Sequence, residues 1–398
     1  MLRLPIYLDY NSTTPCDPRV VEAMLPYFTE KFGNAASRSH AFGWEGEEAV
    51  SQAREQVAAL INAEPEEIVF TSGATEGDNL ALKGIFELYR SKGNHIITVA
   101  TEHKAVLDSC HHIEKLGGEI TWLPVDAEGI IDLNQLEAAI KPTTILIAIM
   151  YANNEIGVIQ PVRPISNIAR KHGVLFFTDA TQATGKIPVD VQKDGIDLLT
   201  LSAHKMYGPK GIGALYVRRR NPRVRLTAQM DGGGHEKGMR SGTLNVPAIV
   251  GMGKACALCA TETEKDAIHT SILRDRLESG LLAIEGAHVN GSREPQKRLP
   301  HTTNISFSHI DGQALLAGLG KDIALSSGSA CTSASMEPSY VLKALGLGDD
   351  LAHSSLRLGL GRWTTQEEVD YAIRRIGEEV ARLREKSILW EMYKEGKG

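Results

Sequence analysis

The sequence predicts an α/β fold, with a large doubly wound, mainly parallel sheet and a smaller α+β domain beside it. Three observations carry that expectation. From about residue 65 onward, short apolar runs of strand length alternate with amphipathic stretches of 10 to 17 residues. Polar, chemically capable residues follow most of those runs, and a second set of strand and helix patterns begins after about residue 285. Such alternation requires crossover helices, and crossover connections make neighbouring strands parallel.

The strand patterns of the first set are EIVFTSG (67–73), HIITVA (95–100), EITWLPV (119–125), TILIAIMYA (144–152), VLFFTDA (174–180), DLLTLSAHK (197–205) and GIGALYV (211–217). Between the first five lie stretches such as TEGDNLALKGIFELYR and LNQLEAAI, with apolar residues at helical spacing. Beyond Pro247 a long helical stretch runs to about Glu285. NISFSHI (304–310), IALSSGS and SLRLGLG (355–361) then read as strands, and DGQALLAGL and TQEEVDYAIRRIGEEVARLREK as helices. The expected division is a large domain over 17–260 and a small domain formed by 1–16 and 261–398, the latter carrying a cysteine loop at about 326–338.

Composition narrows the function classes. A chain of 398 residues buries a sizeable core, and its net charge of −6 gives no general electrostatic reason to bind nucleic acid or an anionic membrane. No apolar run approaches the roughly 20 residues that span a bilayer. MLRLPIYLDYNSTTP lacks the blocks of a signal or transit peptide, so a cytoplasmic location is expected. Five cysteines, at 16, 110, 256, 259 and 331, are too few and too scattered for a disulfide framework and fit free thiols in a reducing compartment. Cys256 and Cys259 form a lone CxxC in a helical segment, which suits packing better than metal or redox use. Cys110, His111 and His112 are adjacent on a helix and point in different directions, so they are not expected to share an ion.

Ligands of such sheets bind at the carboxyl ends of the strands, and here those ends carry SGATE, TEHK, ANNE, TDATQ and SAHK. Lys205 follows an apolar strand beside His204 and precedes a Gly/Pro turn. It is either a desolvated, nucleophilic amine or an exposed strand-end lysine. Asp179 ends another apolar run without a basic neighbour and needs a structural cation or a ligand's protonated ring nitrogen. A lysine for a Schiff base and an aspartate for a pyridinium nitrogen are the two groups that pyridoxal phosphate requires of a protein. Gly73, Ala74 and Thr75 form a strand-to-helix turn suited to a phosphate, with Glu76 as the alternative, purely structural cap. Cys331 sits among small hydroxylated residues in SSGSACTSASMEPS, a stretch with little apolar material to pack around it.

TSGATEGDN, TEHKAVLD, ANNEIG, TDATQATGK, SAHKMYGPKG, GGGHEKGMRSGT, SSGSACTSASMEPS and AHSSLRLGLGR occur in the order found in pyridoxal-phosphate-dependent cysteine desulfurases. The chain resembles these class V aminotransferase relatives from YLDYNSTTP to LWEMYKEG, and most of all the housekeeping type that feeds iron-sulfur cluster assembly. The resemblance implies the pyridoxal-phosphate fold type I, with 17–260 as the cofactor-binding domain. It implies that Lys205 holds the cofactor, Asp179 pairs with its ring nitrogen and His103 stacks on the ring and shuttles protons. Gln182 would bond the ring oxygen, while Thr75, Ser202 and His204, with the Ala74 amide, would hold the phosphate. Thr243 would reach that phosphate from the other subunit of a homodimer. Asn154 and Arg357 would bind the substrate carboxylate, Asn154 also lying against the cofactor. The implied reaction converts L-cysteine to L-alanine and leaves sulfur on Cys331 as a persulfide. Acceptor proteins, including an iron-sulfur scaffold protein, would take it up, with Cys331 a possible iron-sulfur ligand through its persulfide during transfer. A selenocysteine lyase, a cysteine sulfinate desulfinase and a non-catalytic sulfur-relay subunit are the alternatives on the same scaffold. Ala203, Ser12 and FGNAAS depart from the family's usual residues and bear on local loop shape.

Overall fold

The computed structural model describes residues 2–327 and 337–396. Cys331 and most of its expected loop lie outside the described residues. In chain order the strands are β1 (Ile6–Tyr7), β2 (Ile68–Thr71), β3 (His95–Val99), β4 (Glu119–Leu123), β5 (Thr144–Ala148), β6 (Leu175–Asp179), β7 (Leu198–Ser202), β8 (Gly213–Val217), β9 (Ala287–Val289), β10 (Thr302–Phe307), β11 (Ile323–Ala324) and β12 (Ser355–Gly359). Every apolar run expected to be a strand contains one.

The large sheet has the order β2-β8-β7-β6-β5-β3-β4, parallel except for β8, which runs against both of its neighbours. Helices cover both faces, so the inner strands are apolar on both sides. Phe176 and Leu199 join the core of one face, while Phe177 and Leu198 join the core of the other. The sequence of crossovers places the carboxyl ends of β2, β3, β5, β6 and β7 along one edge. Register sets Asp179 opposite Thr200 on the neighbouring strand.

The helix Val246–Leu282 is 37 residues long, about 55 Å at helical rise, and crosses residue 260 without a break. It packs against the helix Ala41–Leu60, and a Cβ added at Gly253 would lie 2.6 Å from the Ala53 backbone, so small residues set that close approach. Cys256 and Cys259 belong to this packing, and burial raises both thiols, Cys259 to about 11. Further along, Leu273, Leu277 and Leu281 enter a separate core with Ile6, Leu8, Phe307 and Val369. The N-terminal segment thus completes the C-terminal elements. Among the described residues, the strand expected over IALSSGS is confined to Ile323–Ala324, because its partner β1 offers only Ile6 and Tyr7. Cys110 is buried, whereas His111 and His112 are exposed and His111 bonds Glu114 at 2.8 Å, so the three do not converge.

Candidate active site

The strand ends open into a cleft of about 600 Å³ whose walls include Ala74, Thr75, His103, Asn154, Asp179, Gln182, Ser202, His204, Lys205 and Arg357. At one end, Gly73 turns the chain from β2 into the helix Ala74–Tyr89 with φ 155°, a conformation that L side chains rarely adopt. Glu76 accepts the Ser72 N–H at 2.8 Å and pairs with Arg240 at 2.7 Å. Burial opposes its ionisation, but Arg240 and the Ser72 amide outweigh burial and hold its carboxyl below the usual range. The structural cap and the amide-lined turn therefore coexist.

Lys205 closes a short 3-10 turn, Ala203–Lys205, directly after β7. Its Nζ donates to the carbonyls of Asn11 and Ser12, each at 2.6 Å, so the N-terminal segment roofs the lysine. His204 is held at 3.1 Å from Thr13 Oγ1. Burial first, then Lys205 and Lys210, push the imidazole down to about 4, so it is neutral at pH 7. Ala203, where the family usually has glycine, fits because Gly208 faces it: a Cβ on Gly208 would lie 2.8 Å from the Ala203 methyl.

Asp179 ends β6 at 6% exposure and accepts the Thr181 N–H on Oδ1 at 2.9 Å. His103 caps the helix Lys104–Lys115, and its Nδ1 accepts the Ala105 N–H at 3.2 Å. Gln182 donates to the Asn11 carbonyl at 3.0 Å. Arg357 is 2% exposed and therefore no surface charge. Its Nη2 donates to Asp9 at 2.8 Å and to Ser12 Oγ at 2.6 Å, and its Nη1 to the Asn154 carbonyl at 3.2 Å. Asn154 Oδ1 and Arg357 Nε, both buried, have no protein partner among the described residues.

Thr243 is exposed and does not line the cleft of its own chain. Residues 326 and 339, which flank the cysteine stretch, are tied down on either side. The Ser326 carbonyl accepts the Arg357 N–H at 2.8 Å, and Ser339 Oγ donates to Glu155 at 2.5 Å. Sequence reasoning missed Asn11, Ser12 and Thr13 as wall residues and missed two buried acids, Asp78 and Glu102. The signal for the first group is the polar run NSTT following an apolar strand.

Residues 6–372 match the family described as aminotransferase class-V. The protein named cysteine desulfurase IscS of Anaeromyxobacter dehalogenans is 59% identical over 396 residues, which span 99% of this chain and 97% of that protein. Its namesake from Methylococcus capsulatus is 58% identical over 395 residues, with the same coverage of 99% and 97%. Among solved structures, a NifS-like protein superposes with a TM-score of 0.88 at 38% identity, covering 96% of this chain and all of its own. A structure titled SspA in complex with cysteine gives 0.79 at 37% identity, covering 90% of this chain and all of its own. Fold, strand-end residues and full-length likeness agree, and the chain belongs to the class V aminotransferase family, in its cysteine desulfurase branch.

Proposed function

We propose that the protein desulfurates L-cysteine to L-alanine with pyridoxal 5′-phosphate as cofactor and Cys331 as the sulfur acceptor. The observation that carries this is the joint placement in one cleft of Asp179, which ends β6, and Lys205, in the turn directly after the neighbouring β7. The residues present fit the cofactor. Asp179 is buried and makes no ion pair with a lysine or arginine among the described residues, so a ring nitrogen is the cation that it lacks. The Gly73 turn, Thr75, Ser202 and a neutral His204 able to donate one N–H suit a phosphate.

Bound there, pyridoxal phosphate supplies an electron sink for the carbon that loses its proton. The remaining work falls to the chain. Lys205 would offer the amine that holds the cofactor, and His103, on the same cleft wall, would take and return protons. Arg357 and Asn154 receive the substrate carboxylate, with Asp9 and Ser12 fixing the guanidinium from behind. The substrate's Cβ–S bond breaks, and its sulfur forms an S–S bond with Cys331. Cysteine plus the Cys331 thiol thus become alanine plus a persulfide. Acceptor proteins for iron-sulfur assembly and other thiolation, a scaffold among them, then take the sulfur.

A homodimer belongs to the same proposal, with Thr243 serving the partner's phosphate site. It is supported by the exposure of Thr243 and by an apolar surface in which the exposed rings of Phe32 and Phe42 lie 5.3 Å apart. A cytoplasmic location is supported by four free thiols, at Cys16, Cys110, Cys256 and Cys259. No helix among the described residues is long and apolar enough to cross a membrane. The division into 17–260 against 1–16 with 261–398 is supported by the separate core around Ile6, Leu273 and Phe307.

The test is alanine formation by the purified holoenzyme from L-cysteine, L-selenocysteine and cysteine sulfinate in parallel. We expect L-cysteine to be turned over with stoichiometric persulfide, and Lys205→Ala to lose at least about 10²-fold in rate. Turnover of selenocysteine or sulfinate alone would move the assignment to another lyase of the same fold.

A further inference from the structure

Asp78 lies near the start of the helix Ala74–Tyr89, on the side turned toward the sheet. It is 0% exposed, and neither of its carboxylate oxygens has a hydrogen-bond partner among the described residues. The helix comes close here because of Gly77, where a Cβ would lie 2.7 Å from Thr200 Cγ2. Thr200 in turn is the register partner of Asp179. One oxygen each of Asp78 and Asp179 and one ring nitrogen of His103 all lie within 4.8 Å of one another. A third buried acid, Glu102 at 1% exposure, flanks them and accepts the Met150 N–H at 2.5 Å. Two further carboxyls and the His103 ring thus gather around Asp179, the residue assigned to the cofactor's ring nitrogen.

Two like charges this close in a dry interior do not both ionise. Burial, and next the charge of Asp179, hold the Asp78 carboxyl well above the usual range. Burial does the same to Glu102. Of these three acids Asp179 lines the cleft, while Asp78 and Glu102 lie outside its wall.

We propose that Asp78 is a positioning residue for the cofactor contact: it forms with Asp179 a carboxyl pair that retains one proton, carried by Asp78, so that a single negative charge faces the ring nitrogen through Asp179. The inference rests on the assignment of Asp179 to that nitrogen. A neutral Asp78 is a polar neighbour of fixed shape for Asp179. An ionised one would set a second buried negative charge directly beside that of Asp179.

The experiment compares Asp78→Asn, Asp78→Ala and Asp179→Asn with the parent protein. Pyridoxal phosphate affinity is measured by equilibrium dialysis of the apo-protein, and the visible absorption of the bound cofactor is recorded on the reloaded enzyme. Asp179→Asn is expected to weaken binding by about tenfold or more and to shift the absorption band, since it removes a charge-assisted contact. Asp78→Asn preserves shape and neutrality and is expected to stay within about twofold with the band in place. Asp78→Ala is expected to weaken binding about fivefold and to move the band toward that of Asp179→Asn. Asp78→Ser substitutes for Asp78→Ala if the latter does not fold by circular dichroism. An Asp78→Asn protein that matches Asp179→Asn would overturn the inference, because Asp78 would then be the anion. So would a truncation that leaves affinity and spectrum unchanged. If Asp179→Asn itself has no effect, it is the underlying assignment of Asp179 that fails.

Discussion

Ser12 stands where the family commonly has alanine, and its Oγ meets Arg357 Nη2 at 2.6 Å. Because that guanidinium is proposed to take the substrate carboxylate, Ser12→Ala should act on binding more than on chemistry. We expect KM for L-cysteine to rise about threefold with kcat within about twofold, measured by steady-state kinetics; an unchanged KM would show that Asp9 and the Asn154 carbonyl hold the arginine without Ser12. Lys205 and Asp179 were legible in the sequence because each stands at the end of an apolar strand, where parallel sheets gather their ligands, whereas the role of His103 came from the family likeness. Arg357 was legible only through the family likeness, since an arginine between leucines on a strand reads equally well as an edge residue. Asp78 was illegible for a related reason. An acid in the first turns of a helix ordinarily complements the helix dipole at the surface, and only the tertiary packing at Gly77 buries it.

The helix Tyr340–Ala344 is held to two strand-end connections, that after β5 through Ser339 Oγ on Glu155 and that after β3 through the Tyr340 hydroxyl on the Glu102 carbonyl, at 2.5 and 2.6 Å. Burial raises the Glu155 carboxyl to about 7, against the opposing pull of Ser339, Arg357 and His103. An acid whose folded pKa exceeds its unfolded value stabilises the fold below the unfolded value, and that contribution is lost as pH rises through the folded one. For Glu155 the window runs from the ordinary value of 4.5 to about 7. Glu155→Gln removes this dependence. Its Tm relative to the parent should therefore improve between pH 5 and pH 8, and a constant difference across that range would show that Glu155 is not buried as an acid. At this scale the alternation of runs and helices made the large sheet readable strand by strand. The brevity of β11 was not readable, because a strand's length depends on the partner that it finds, here two residues at the far end of the chain.

At the scale of the whole molecule, the long helix Val246–Leu282 ties the sheet's packing to the core built around Ile6 and Leu273, so the cleft is framed by elements from both ends of the chain. Phe28 and Phe32 remain 59% and 64% exposed in the single chain, which suits a second copy as their cover. Sedimentation equilibrium should give a dimer. The double change Phe28→Glu with Phe32→Glu should dissociate it and weaken cofactor binding if Thr243 acts across the interface; a monomeric parent with full cofactor affinity would exclude that arrangement. The proposal as a whole turns on Cys331, and one measurement reaches it most directly. Holoenzyme is mixed with a single equivalent of L-cysteine without reductant, and alanine is quantified alongside intact protein mass. One alanine per site with one added sulfur located on Cys331 is expected, and Cys331→Ala should form neither at the parental rate; alanine production undiminished in that variant would contradict Cys331 as the acceptor.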